Sequence, residues 1–292
     1  MDARAITLES VFNLIRDAEE NGNQHICYFR PKTKKLTEAL TLDFLATNLW
    51  GPQRSKVTGA FPAIRLTPNA FMYADLRQHN PRKPKDWLMK IYGDTLITRP
   101  TGKVEDRGDN LFWKEFKNEP LRIVLLARWN SPDLLELRVQ RDESRKRIDA
   151  WFTQLWSMLR PALIPEQFIA WDLDRALAKL VLNQDKNEAV YEFRDASVMD
   201  EKGGVRARFE SDSDQGNLWA SARTKESLQA YVKDIGNCEA GGILWKPQPS
   251  GTPAKELRTL IGARRRNEII VPSHCPAGDL EYVTDQLRTN SK

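Results

Sequence analysis

Histidine and cysteine are scarce in this chain, with three of each in 292 residues: His25, His79 and His274, and Cys27, Cys238 and Cys275. None falls in a CxxC or HxxxH pair, which excludes a structural zinc site of the usual spacing. The cysteines lie too far apart to read as a disulfide framework, and a reducing compartment is the expectation. His25 near Cys27 and His274 beside Cys275 read better as core or loop residues than as nucleophile pairs. There is no P-loop and no GxGxxG, and the pairs Gly203-Gly204 and Gly241-Gly242 are explained by turns. Long hydrophobic runs are missing too. Stretches such as residues 123–127 fall far below the roughly 20 residues of a membrane helix. The opening MDARAITLES carries no apolar segment behind a basic start. A cytoplasmic protein without a membrane segment is therefore expected.

A folded chain remains. Apolar residues make up 40% and nine tryptophans are present, enough for a substantial core and too much for global disorder. The net charge is +5, but it is unevenly spread. Residues 28–99 carry thirteen Lys and Arg against five Asp and Glu, while residues 1–27 are acidic and the remainder balances. A local excess of this size makes a positive field that attracts polyanions.

Periodicity outlines the elements. Leu8, Val11, Phe12, Leu14 and Ile15 make an apolar helix face capped by Thr7 and stopped at Asn21-Gly22. Residues 25–30 read as a strand and 36–50 as one helix. Residues 51–99 are proline-rich, with bases in loops between short strands. Strands are expected at 86–98, 110–117 and 121–129, with a turn at Pro100–Lys103, and 134–141 alternates as a partner strand. Ile148, Trp151, Phe152, Leu155, Trp156 and Leu159 mark the clearest helix, within 142–160. Helices at 165–183, 225–235, 254–265 and 279–288, a hairpin at 189–210, and strands at 242–246 and 268–271 complete the pattern. The expected fold is α+β, with about eight strands and seven helices. Two mixed modules are expected, a strand-rich basic one at 1–141 and a helical one with a small antiparallel sheet at 142–292.

Three basic loop clusters carry the functional expectation: Lys32, Lys34 and Lys35; Arg54 and Lys56; and Arg82, Lys83 and Lys85. Trp50 and Trp87 lie near the second and third. Lysines neutralising phosphates release counterions, and an indole can stack on a base. The leading reading is a protein that binds DNA or RNA along the phosphate backbone, without a cofactor. Convergence of the loops on one face is its requirement. The plainer reading is that lysines populate loops because loops are wet and that both indoles belong to the core. Arg264, Arg265 and Arg266 suit a helix C-terminus. Arg145 and Arg147 sit at a helix N-terminus, where cations are disfavoured, and read as an ion-paired face or a phosphate contact.

An alternative reading is a Mg²⁺ nuclease of the PD-(D/E)xK type. Glu115-Phe116-Lys117 fits its second half, and Asp94, with Asp106 or Asp109 in reserve, would supply the other carboxylate. The (D/E)-x-K spacing occurs here twice, against roughly 2.6 expected by chance. A third reading is an accessory subunit that holds another protein through an exposed Trp219 or Trp245 or through the acidic loop at 211–215.

Overall fold

The computed structural model describes residues 6–51, 61, 70–106, 112–142, 144–200, 204–211, 216–235 and 237–292. The fold is α+β. In chain order the elements are α1 (Leu8–Glu20), β1 (Gln24–Pro31), α2 (Lys34–Ala39), α3 (Leu42–Trp50), β2 (Phe71–Gln78), β3 (Trp87–Asp106), β4 (Phe112–Asn130) and β5 (Leu134–Gln140). Then follow α4 (Arg145–Leu159), β6 (Phe168–Ala170), α5 (Asp174–Asn183), β7 (Tyr191–Asp200), β8 (Val205–Glu210), α6 (Ala222–Ala230), β9 (Asn237–Trp245), β10 (Leu257–Ile261), β11 (Glu268–Val271) and α7 (Ala277–Ser291). Among the described residues no helix is long and apolar enough to cross a membrane.

All strands join one antiparallel sheet in the order β2-β3-β4-β5-β1-β11-β10-β9-β7-β8. β1 lies inside it. One side pairs with β5 (Cys27 opposite Leu137); the other pairs first with β11 (Gln24 opposite Val271) and then with β6 (Phe29 opposite Ala170). Alternation along β1 sends its side chains into two different cores. Cys27 and Phe29 join Leu137, Leu125, Trp129 and Trp87 under α2, α3 and α4. Ile26 and Tyr28 join Ile269, Trp245, Leu177 and Val283 under α5 and α7. The sheet therefore changes its main covered face at β1. Trp87 and Trp129 are register partners and both fully buried. Each is worth roughly 3–5 kcal/mol against truncation to alanine.

Several segments depart from the sequence pattern for identifiable reasons. The single helix expected at 36–50 is two helices, because Thr33 caps α2 at Leu36 and Thr41 caps α3 at Phe44. The turn expected at Pro100–Lys103 is an irregularity inside β3, and β3 and β4 form one long hairpin arm. The helix expected from 165 starts only at Asp174. Before it, Phe168 packs on the α4 side and Trp171 on the α5 side, so the chain crosses the sheet extended as β6. The helix expected at 254–265 is the strand β10. Leu257, Thr259 and Ile261 point inward, a period of two, and the buried Thr259 hydroxyl accepts from Trp245 Nε1 at 2.9 Å.

The face of the N-terminal strands opposite α4 is held differently. There α1 sits on buried charges. Lys90 is fully buried, with Nζ 2.8 Å from Glu19 Oε2 and 2.7 Å from Glu20 Oε1. Tyr92 donates to Glu19 at 2.7 Å, and Arg77 bridges Glu20 and Asp75. Further along, Arg138 pairs with the fully buried Glu136, and Arg128 reaches Glu281 on α7 at 2.7 Å.

Candidate nucleic-acid interface

Two of the three basic clusters leave the sheet at one end. Register aligns Gln78, Trp87, Trp129, Leu135 and Phe29 in a row across β2, β3, β4, β5 and β1. Beyond Phe29 the chain runs to Lys32, whose amide donates to Gln167 O at 2.9 Å, and then into α2. Beyond Gln78 it makes the β2–β3 turn that carries Arg82, Lys83 and Lys85. β3 and β1 are three strand spacings apart, about 14 Å. Asn80 braces the turn, accepting Arg82 N on Oδ1 at 2.9 Å and Lys83 N on its carbonyl at 3.0 Å. The buried Asp86 accepts Ser131 N at 2.9 Å and so ties the β2–β3 turn to the β4–β5 turn.

Lys32, Lys34, Lys35, Arg82 and Lys85 are exposed and Lys83 is half-buried. Lys34 lies 3.8 Å from Glu38, a pair of little energetic weight at that exposure. Among the described residues Lys32, Lys35, Arg82, Lys83 and Lys85 have no ion-pair partner. Nearby Arg30 is engaged, with Asp133 at 3.5 Å and its guanidinium over Trp171. Arg54 and Lys56 lie outside the described residues.

The tryptophans do not join this surface. Trp87 is fully buried and its indole donates to Leu40 O at 3.3 Å, so it is a core residue unable to stack on a base. Trp50 packs edge-on against Tyr73, with centroids 5.1 Å apart, and its Nε1 is buried. Trp245 is also fully buried, and Trp219 leans on Phe193 while donating to Asp185. Neither is an exposed anchor. Most of the acidic loop at 211–215 lies outside the described residues.

The nuclease constellation does not assemble. Asp94 stands opposite Arg122 and pairs with it at 3.5 Å. Glu115 is seven residues further along β4, roughly 23 Å away at strand rise. The odd offset also turns it to the other face of the arm. There it accepts from Thr101 Oγ1 at 2.8 Å and meets Lys103, while Lys117 turns to Glu119. Asp109, and the side chain of Asp106, lie outside the described residues. Among the described residues no group of three His, Cys, Asp or Glu side chains could hold a metal ion. Cys27 is no nucleophile either. Burial, helped by Glu268 and opposed by Arg265, pushes its thiol up to about 12.

The triple arginine occupies the β10–β11 turn instead of a helix end. Arg264 and Arg265 hold Asp149 of α4, and Arg266 meets Asp174 at 3.2 Å. With Arg264 in this place, a cavity of about 900 Å³ opens beside the N-terminus of α4. Arg99, Arg141, Arg145, Arg147 and Arg264 line it over a floor that includes His25. Sequence reasoning misses it as a site, because its walls come from six separate segments. The only signal is the unusual placement of Arg145 and Arg147 at a helix start.

No protein-family model matches the chain, and no curated protein matches its sequence.

Proposed function

We propose that the chain binds nucleic acid along the phosphate backbone, with DNA or RNA as partner and little sequence readout. The observation that supports it is the set of unneutralised cations, Lys32, Lys35, Arg82, Lys83 and Lys85, gathered at one end of one sheet. Cations in that arrangement displace counterions from a polyanion, and each phosphate neutralised adds to the salt dependence. Fluorescence anisotropy with a labelled duplex and a labelled single strand, between 50 and 200 mM salt, tests it. Five phosphate contacts give a log–log slope of about −4.5 on duplex and −3.5 on single strand. A binding constant indifferent to salt ends the reading.

Two finer points belong to the same proposal. The separate apolar clusters on either side of β1 support two modules that share one sheet, but α4 and Phe168 pack with the first cluster, which argues against a division at 141/142. The three unpaired, buried cysteines support a cytoplasmic setting. A second reading, an accessory subunit that holds another protein, is favoured by the β3–β4 arm, which exposes Leu96, Val104 and Phe116.

A further inference from the structure

The arginine-lined cavity lies at the other end of β1 from Lys32. Its floor is His25 and Ile270, neighbours in register on β1 and β11. His25 is 4% exposed. Its Nδ1 lies 2.8 Å from Oε1 of Glu268, which is wholly buried. A carboxylate only accepts, so Nδ1 carries the proton and Nε2 is the free nitrogen. Nε2 makes no hydrogen bond among the described residues. A buried imidazole is thus fixed by its rear nitrogen, with its front nitrogen unpaired in a cavity wall.

The walls carry more positive charge than the local acids engage. Arg147 is taken by Asp142 at 2.7 Å, Arg264 by Asp149 at 3.0 Å, and Arg99 reaches Glu119 only at 3.9 Å. Arg145 and Arg141 have no acidic partner among the described residues, and Arg141 reaches only Pro272 O, at 3.4 Å. The first turn of α4 contains no acid, although the positive end of the helix dipole favours one there. Cations piled on that end are a cost that a bound anion would offset. The volume exceeds what orthophosphate needs and matches a small-molecule site. Ile97, Leu121 and Ile148 give it an apolar side on which a sugar or base can rest.

We propose that this cavity binds a phosphate monoester of nucleotide size. Arg141 and Arg145 would grip the phosphate, forked donors to its oxygens, with His25 Nε2 at the floor as an acceptor for a hydroxyl or amino group of the ligand. The site stands apart from the basic end and from the nucleic-acid reading. The phosphate has two sources, a free mononucleotide or the 5′-phosphorylated end of a strand, and they share this chemistry.

The test is calorimetric titration of the full chain with AMP, adenosine and inorganic phosphate. Competition between 5′-phosphorylated and 5′-hydroxyl oligonucleotides of the same sequence runs beside it. The variant is R141Q/R145Q, two exposed side chains, with its fold checked by circular dichroism. A second variant, K32E/K35E, reverses charge at the other end of β1. The expected result is that AMP or the 5′-phosphorylated strand binds, that removing the phosphate abolishes the gain, and that R141Q/R145Q weakens it at least tenfold. K32E/K35E leaves AMP binding unchanged and reports on the nucleic-acid reading alone. AMP binding identifies the mononucleotide as a source. A preference for the 5′-phosphorylated strand without AMP binding identifies the strand end. Neither ligand binding at millimolar concentration, or equal binding by R141Q/R145Q, overturns the proposal.

Discussion

Lys90 and Glu20 meet under α1 with neither side chain in water: the ammonium is fully buried, the carboxylate nearly so, and they lie 2.7 Å apart. This contact seats the C-terminal end of α1 on a sheet face whose other buried residues are mostly apolar. Burial alone would raise the Glu20 carboxyl, but Lys90 and Arg77 outweigh it and hold the group below its usual range. Removing the cation leaves the buried Glu20 with Arg77 alone and Glu19 with only the Tyr92 hydroxyl. Lys90→Met is therefore expected to destabilise the fold by about 3–5 kcal/mol. Urea unfolding at neutral pH measures it, and a loss under about 1 kcal/mol would show that water reaches the seam.

Acid should act through Glu136. Burial opposes its ionisation, yet Arg138 and Arg128 overcome burial and hold the carboxyl at about 2, down from an ordinary 4.5. Its folded value lies below its unfolded one, so its contribution is full above 4.5 and fades as pH falls towards 2. Glu281 reinforces this. His79 lowers it, burial opposes and Arg128 helps, and it also rests at about 2. Stability should drop across that window. Glu136→Gln should start less stable and fall less steeply, which denaturant titrations from pH 7 to 2.5 can compare.

Asp174 should pull the other way. Burial and Asp172 push its carboxyl up from 3.8 to about 7, against Arg266. The folded chain then holds a proton that the unfolded chain has released, so stability falls as pH rises through that range. Asp174→Asn is expected to flatten the limb between about pH 4 and 7. An unchanged slope in the variant would mean that Arg266 alone sets this carboxyl.

At the basic end, K32E/K35E and R82E/K85E should each lower affinity for a duplex and make its salt slope shallower by about 2. The two sets share one end of the sheet without touching, so their effects should add. If only one set matters, the surface is a single loop and not a shared face.

The legible parts of the fold are those where apolar residues fill every buried position. The 3.6-residue spacing from Ile148 to Leu159 announces α4, and the apolar run at 123–127 announces the middle of β4. Where polar side chains are buried, the pattern misleads. Residues 134–140 alternate Leu and Val with Glu136 and Arg138, which reads as a wet face, yet those charges are buried against each other. In β10, Leu257, Leu260 and Ile261 have helical spacing by coincidence, and the buried Thr259 hides the true alternation. The bases of the candidate interface were visible as composition. Their shared end was not, because it depends on the register of five strands. Nearness in sequence points to the indole of Trp87, yet a residue entering a strand beside a basic turn faces the core as readily as the solvent.

The position of β1 has a consequence for biosynthesis. This strand leaves the ribosome well before its partner, because Gln24 takes its register from Val271, 247 residues later. Until then one edge of β1 exposes backbone groups with no native partner, and the pairing must wait for the residues between. High contact order of this kind slows folding and leaves an open strand edge on the nascent chain. β6 covers that edge only from Phe29 onward, so residues 24–27 stay open until β11 has been made.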